Sequence, residues 1–407
     1  MVKVVHIQKS VMSTGRAPLR LHKAMLKENI DSSILSLDFD VNQSDSVRKT
    51  STGSRIRARM DNFLQSLITR NVKKQYGLYS FPILGTDVSG YELVRNADII
   101  YLHWVQGGYL NLSGYRRLTR IGKPVVIVMH DMWTITGGCH HSFDCEKYTL
   151  QCADCPMFLK TGPIDWVSIE FRRKKKLYSG FRNVSFVSPS KWLSDCAERS
   201  ELTKDKPLYH IPNIIDTTLF KPVGKSFARR ILNLDENEII IGFGAFEISS
   251  AYKGWAELVK ALEILSSDPA ANSISMLVFG AGYKKEIAET IPFKTRFMGF
   301  LKDEYSTVLV YNAIDVFVTP SLADNFPTTI LECQSCGTPV VGFEVGGIPE
   351  IIRHKENGYL AKYRDAGDLA SGIKFCISST IKGRLLPDLE MDFLVKKHLD
   401  LISEVVN

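Results

Sequence analysis

Short apolar runs rich in Val and Ile alternate along this chain with stretches whose apolar residues recur at helical spacing. The first half offers VKVVHIQ, SSILSLD, ADIIYLHW, PVVIVMHD, NVSFVSPS and LYHIPN, and the second EIIIGFGAF, ISMLVFGAG, TRFMGF, DVFVTPS, PVVGFEV and NGYLAK. Such alternation is the pattern of parallel strands joined by crossover helices. Two successive sets of about six strands predict an α/β chain of two Rossmann-like doubly wound domains. Its 407 residues also exceed the ~250 to 300 at which single cores stop growing. The join falls near Pro212 to Pro222, where IPNIIDTTLFKP shows turn chemistry rather than periodicity. The expected division is residues 1–212, residues 213–386, and an amphipathic helix over 387–407 that follows Pro387. Within the first domain, residues 42–80 read as a loop-and-helix insertion with few strand signals, and residues 139–155 as a Cys-rich insertion. In folds of this kind ligands gather at the carboxyl ends of the strands, so the expected site is a cleft between the domains.

Apolar residues make up 44% and charged residues 23% of the chain, and no stretch approaches the ~20 apolar residues that a spanning helix needs. The opening MVKVVHIQKS carries too short an apolar run, followed by Lys9 and Arg16, for a secretory signal. A cytoplasmic location is therefore expected, with eight cysteines kept as thiols. The net charge of +7 is unevenly spread: residues 48–74 carry Arg48, Lys49, Arg55, Arg57, Arg59, Arg70, Lys73 and Lys74 against only Asp61. That run fits an anionic membrane surface, which makes peripheral attachment at the inner face of the cell membrane an expectation, and it equally fits a solvated helix face. Nucleic acid is a poor partner, because no binding motif accompanies it.

Chemistry concentrates in residues 315–350, DVFVTPSLADNFPTTILECQSCGTPVVGFEVGGIPE. Here a strand runs into a loop and then a helix, with Pro327 at the first helical position and Gly337 and Pro339 ending it after about nine residues. A helix N-terminus at the carboxyl end of a strand suits a diphosphate, and Asn325, Phe326, Thr328 and Thr329 form the turn into it. Asp324 and Glu332, acceptor-only carboxylates, suit the paired hydroxyls of a ribose or hexose. Upstream, IIIGFGAFEISSAYKGW leads from a strand through Gly244 to Lys253, whose cation would offset charge building on a leaving diphosphate.

The 315–350 segment resembles the signature of the retaining family 4 glycosyltransferases of GT-B fold, in which two acidic residues separated by seven flank such a turn. The resemblance spans nearly the whole chain and is strongest over 240–360. It implies that Asp324 contacts the transferred sugar, that Glu332 holds the donor ribose and that Lys253 binds the diphosphate of a nucleotide-diphosphate sugar. It also implies that the backbone of Gly299, Phe300 and Leu301 meets the base. The family more often has Glu where this chain has Asp324. An Arg common beside the Lys or six residues before it is replaced here by Tyr252 and Glu247, so either Lys253 acts without it or a cation from elsewhere, such as Arg296 or Lys302, is expected to compensate. In the first domain the resemblance places Ser13, Thr14 and Gly15 against the donor phosphate and His130 near the sugar, with Asp131 orienting the His130 ring. Front-face attack, in which the leaving phosphate takes the acceptor proton, needs neither a protein nucleophile nor a metal.

Cys139, Cys145, Cys152 and Cys155 lie within seventeen residues, the last pair as C-x-x-C. They fit a structural zinc site, with His140 and His141 as further ligands, buried free thiols or a disulfide. Cys333 and Cys336 fall within a helix and read as core. A similar Cys-rich insertion after H-D-x-W-x-x-T-G occurs in a bacterial exopolysaccharide and capsule subgroup of the family. That likeness implies a glycan or polyprenyl-diphosphate-linked acceptor in surface polysaccharide or lipopolysaccharide synthesis. The rivals are a nucleotide-sugar epimerase, which needs no acceptor, and a non-catalytic two-domain sugar-binding protein. An NAD-linked oxidoreductase ranks last, for want of G-x-G-x-x-G with a ribose-binding acid.

Overall fold

The computed structural model describes the chain except for residues 12–15, 39–45, 74, 160–163, 246, 249, 269–272, 281 and 407. The chain divides into two compact units, Met1–Ile214 with Asp392–Asn407, and Ile215–Met391.

In the first unit the described strands are β1 (Lys3–Ser10), β2 (Asp31–Asp38), β3 (Val47–Lys49), β4 (Ile99–Leu102), β5 (Val125–Val128), β6 (Val184–Ser188) and β7 (Leu208–His210). They form one parallel sheet in the order β3-β2-β1-β4-β5-β6-β7. Strands β4 and β5 are buried along their whole length, as parallel strands covered on both faces must be. β3 corrects the expectation that residues 42–80 hold only loop and helix: two of its three residues, Arg48 and Lys49, are charged and exposed, so pairing to β2 at the sheet edge defines the strand and hydrophobic patterning does not reveal it. The helix that follows, Thr52–Thr69, is the expected one.

The second unit holds β8 (Ile239–Gly244), β9 (Ile274–Phe279), β10 (Lys294–Gly299), β11 (Val316–Thr319), β12 (Val340–Phe343) and β13 (Gly358–Ala361). Its described strands are also parallel, in the order β10-β9-β8-β11-β12-β13. Each sheet reverses direction of growth once, between β1 and β4 and between β8 and β11. In open α/β sheets ligands bind at such a switch point, beyond the carboxyl ends of the strands.

The closing helix, Met391–Val406, buries Leu394, Val395, His398, Leu401 and Ile402 and belongs to the first unit. Tyr101 of β4 meets His398 at 3.4 Å, and Tyr209 of β7 donates to Glu404 at 2.6 Å.

Candidate functional site

At the switch point of the second sheet, β8 and β11 send their loops toward each other. Leu322 N–H donates to the Tyr252 carbonyl at 2.7 Å, tying the loops together. Gly254 sits at φ +68°, and a Cβ there would come within 1.7 Å of the Pro320 carbonyl oxygen, so this approach requires glycine. It brings Lys253 Nζ to 2.9 Å from Asp324 Oδ2, with Ser321 Oγ also donating to that oxygen at 3.4 Å. Burial alone would lower the Lys253 ammonium, yet Asp324 beside it holds it above its ordinary value. Lys253 and Asp324, which the sequence assigned to separate parts of a donor, are thus an ion pair. An ammonium carries three donors, so the pair leaves Lys253 chemically able to take a phosphate oxygen as well.

Asp324 is followed by buried Asn325, Phe326 and Pro327, and the helix Thr328–Ser335 begins at Thr328. Pro327 caps that helix from outside and is not its first residue, because its ψ of 114° is extended. Thr328 and Thr329 occupy the first turn, where backbone N–H groups lack intrahelical partners and the dipole is positive. Gly346 approaches from the next loop at φ +58°, where a Cβ would lie 1.9 Å from the Asp324 carbonyl oxygen. Glu332 is buried within the helix and accepts from the Tyr311 hydroxyl at 3.1 Å. Tyr311 was missed by sequence reasoning, since it lies 21 positions away on Glu304–Ala313 in an apolar setting. Cys333 and Cys336 are buried in the same core.

Gly244 ends β8 against the Phe279 ring, which a Cβ would meet at 2.6 Å. Gly299, at φ +65°, ends β10 and leads to Phe300 and Leu301. Arg296 does not fit the compensating role expected of it: its guanidinium donates to the Leu232 and Asn233 carbonyls at 3.0 and 2.6 Å. Lys302 is exposed.

In the first unit Gly15, with Ser13 and Thr14, lies outside the described residues. His6 in the middle of β1, with His103 and His130 just past the ends of β4 and β5, forms a row of imidazoles. His6 Nδ1 lies 2.9 Å from His103 Nε2, and His103 Nδ1 lies 3.1 Å from His130 Nε2. Burial lowers all three below the usual histidine range, His130 to about 4 despite Asp131 nearby, so the row is neutral at pH 7. His6 and His103 were not foreseen; they face His130 only through the strand order. Asp131 corrects another expectation. Its Oδ2 accepts from Trp104 Nε1 at 3.0 Å and meets His140 Nδ1 at 2.6 Å, while Oδ1 caps the turn at Trp133 N–H. Burial would raise Asp131, but His140 and these hydrogen bonds bring it to about 2. Its carboxylate thus serves His140 and the Met132–Ile135 turn, while the His130 ring is engaged by His103.

Cys139, Cys145, Cys152 and Cys155 line one small pocket with Thr136, Met157 and Val167, and all are free thiols. That excludes the disulfide within this structure. Among the described residues no three or more His, Cys, Asp or Glu side chains are grouped to hold a metal ion. His140 is spent on Asp131 and on Ser80, at 2.6 and 2.8 Å. Burial pushes the Cys152 thiol up to about 12, and the Tyr79 hydroxyl meets Cys155 Sγ at 3.1 Å. As arranged, these residues fit buried thiols better than zinc ligands.

Residues 237–379 match the family model described as Glycosyl transferases group 1. The fold is of the GT-B class, and the segment similar to group 1 glycosyl transferases contains the Lys253–Asp324 pair and Glu332. Among similar proteins, the D-inositol 3-phosphate glycosyltransferase of Rhodococcus opacus (strain B4) is 30% identical over 174 residues, 40% of this chain and 38% of that protein. The chain thus matches less than half the length of that relative. Anabaena HepE, solved in complex with UDP and glucose, has a TM-score of 0.66 at 16% identity and is matched over 99% of this chain and 100% of that one. WaaG, a glycosyltransferase involved in lipopolysaccharide biosynthesis, has a TM-score of 0.58 at 11% identity, over 98% and 95%. At these identities the two structures establish the fold alone.

Proposed function

We propose that this chain is a retaining glycosyltransferase that takes a sugar from a nucleoside diphosphate donor bound by its C-terminal unit. The observation that carries the reading is the convergence of Lys253, Asp324 and the start of Thr328–Ser335 at the β8/β11 switch point, within the segment that matches the family model. Lys253 and the helix N-terminus take the diphosphate, Asp324 the transferred sugar and Glu332, held by Tyr311, the ribose. Gly244 and Gly299 to Leu301 supply close backbone approach to the nucleotide. The bond between the anomeric carbon and the diphosphate oxygen breaks, and its electron pair leaves with the diphosphate. The acceptor hydroxyl oxygen bonds to the same face of that carbon, and its proton passes to the departing phosphate. Lys253 and the helix dipole stabilise the charge that develops, a role that needs no metal. His130 contributes a neutral hydrogen-bonding group.

The UDP and glucose bound by HepE support the donor class. For the acceptor, the lipopolysaccharide role of WaaG supports a glycan or lipid-linked oligosaccharide of a bacterial surface polysaccharide, made on the cytoplasmic side. The inositol-phosphate relatives support a small phosphorylated polyol as the second reading.

A thermal-shift panel of UDP, GDP and ADP with EDTA present tests the donor site on wild type and Lys253→Ala. A ligand at ~100 times its dissociation constant adds about 2.7 kcal/mol. One diphosphate should stabilise the wild type and lose its effect in the variant. Silence from every nucleotide, with stabilisation by a free sugar, would replace this reading with a sugar-binding protein. Epimerised donor formed without acceptor would replace it with an epimerase.

A further inference from the structure

The helix Thr52–Thr69 is amphipathic in the inverse of the usual sense. Its inward row is polar: Ser54, Asp61 and Gln65 are buried, with Ala58 between them. Asp61 Oδ1 accepts from the N–H groups of Ile83 and Leu84 at 2.9 and 2.6 Å, Gln65 Oε1 accepts from Phe81 N–H at 2.7 Å, and Gln65 donates to Asp61. These bonds fix the rotation of the helix about its axis. The opposite row, spaced at three and four residues, is Ile56, Met60, Phe63 and Leu67, exposed by 56%, 56%, 65% and 51%. At 100° per residue this row is centred about 180° from the buried one. A single exposed Leu means nothing, but four large apolar side chains aligned over about three turns are a surface that water does not favour.

Charge decides what covers that surface. Arg55, Arg59 and Arg70 flank the apolar row and are exposed, and the only acid between residues 48 and 74, Asp61, is turned inward. A second copy packed on the same face in a two-fold pair would bring two cationic rows together. An anionic bilayer accepts both features, the apolar row in the acyl boundary and the guanidinium groups among phosphates, as for helices lying in the membrane interface. Among the described residues no helix is long and apolar enough to cross a membrane, so this mode is surface docking. The helix spans about 27 Å at 1.5 Å per residue. Leu159, 65% exposed, continues the apolar surface past its end, where its N–H donates to the Asn71 carbonyl at 2.8 Å.

We propose that Thr52–Thr69 docks the N-terminal unit on an anionic lipid surface, with Ile56, Met60, Phe63 and Leu67 entering the acyl boundary and Arg55, Arg59 and Arg70 at the headgroups. The docking gives the chain access to lipid-carried molecules and does not depend on the donor site.

Sedimentation of the full chain with phosphatidylcholine vesicles, with and without added phosphatidylglycerol, tests it. The wild type should pellet with the anionic vesicles and be released by salt. The double variant Phe63→Ser, Leu67→Ser should lose about tenfold or more in partitioning with an unchanged nucleotide thermal shift, which also shows that it is folded. Phe63→Trp should show a blue-shifted emission on anionic vesicles. Failure of the wild type to bind anionic vesicles, binding that the double variant leaves intact, or a dimer in solution that the double variant dissociates would each overturn the proposal. None of these results bears on the donor site, whose own test is nucleotide binding.

Discussion

Lys253 and Asp324 stand 71 positions apart and meet at 2.9 Å, which makes each the first partner of the other before any phosphate arrives. A charge-assisted hydrogen bond of this kind contributes about 1.5–3 kcal/mol. Calorimetry on Lys253→Ala should therefore show nucleoside diphosphate affinity falling roughly tenfold to a hundredfold. Asp324→Asn removes the carboxylate that competes for Lys253, so it should keep or tighten nucleotide binding while sugar transfer collapses; a parallel loss of binding would mean that Asp324 holds the nucleotide. The buried histidines give a pH prediction. His22 and His130 are lowered to about 4 and His398 to about 3 by burial, below the unfolded value of about 6.5. The unfolded chain binds protons first, so their contribution is complete above pH ~6.5 and is lost as the pH falls toward 4, at up to about 1.4 kcal/mol per pH unit for each. Asp131, lowered to about 2, adds its loss only below about pH 4. Melting temperatures from pH 7 to 4 should fall in the histidine window, and less steeply in His22→Asn.

At the scale of elements, the candidate donor site is two loops and one helix start held by two glycines. Gly254 and Gly346 both have positive φ and both lie where a Cβ would strike a backbone carbonyl oxygen, at 1.7 and 1.9 Å. A backbone oxygen cannot swing aside as a side chain can, so the loops themselves must move. Gly254→Ala and Gly346→Ala should each cost about 2 kcal/mol or more in denaturant unfolding. Because the struck oxygen in the second case belongs to Asp324, Gly346→Ala should impair sugar transfer beyond its effect on stability. Both loops were readable from sequence as strand-to-helix turns, since Gly and Pro mark them. The tight approach was not, because the atoms that demand glycine come from residues 66 and 22 positions away.

For the whole molecule, the first unit is built from both ends of the chain, residues 1–214 and 392–407. The closing helix buries four apolar side chains, Leu394, Val395, Leu401 and Ile402, each contributing about 1.5–3 kcal/mol. Their sum is comparable to the ~5–15 kcal/mol that hold a domain together. Truncation after Glu390 should leave the first unit open to limited proteolysis, while fragments from residues 215–390 persist. Equal loss of both units would show that they unfold as one.

The sequence by itself determined the alternation of strands and helices, the two-unit α/β class, the positions of Lys253, Asp324 and His130 in segments that follow strands and that of Glu332 in the helix after Asp324. These features are written in local periodicity, Gly and Pro placement and short spacing, which act within a few residues. It also marked the basic run over 48–74, though charge counting alone left a membrane surface and a solvated face equal. Tertiary structure decided the rest. The order β2-β1-β4-β5 set His6, His103 and His130 in a row, and the turn of Thr52–Thr69 toward Ile83 and Leu84 sent its polar side inward and its apolar side out. The same packing gave Asp131 to His140, set Tyr311 on Glu332 and left four thiols in a pocket without a metal-binding grouping among the described residues. Each of these pairings joins residues whose separation along the chain carries no signal, because side-chain partners are chosen by which strands become neighbours and not by sequence distance.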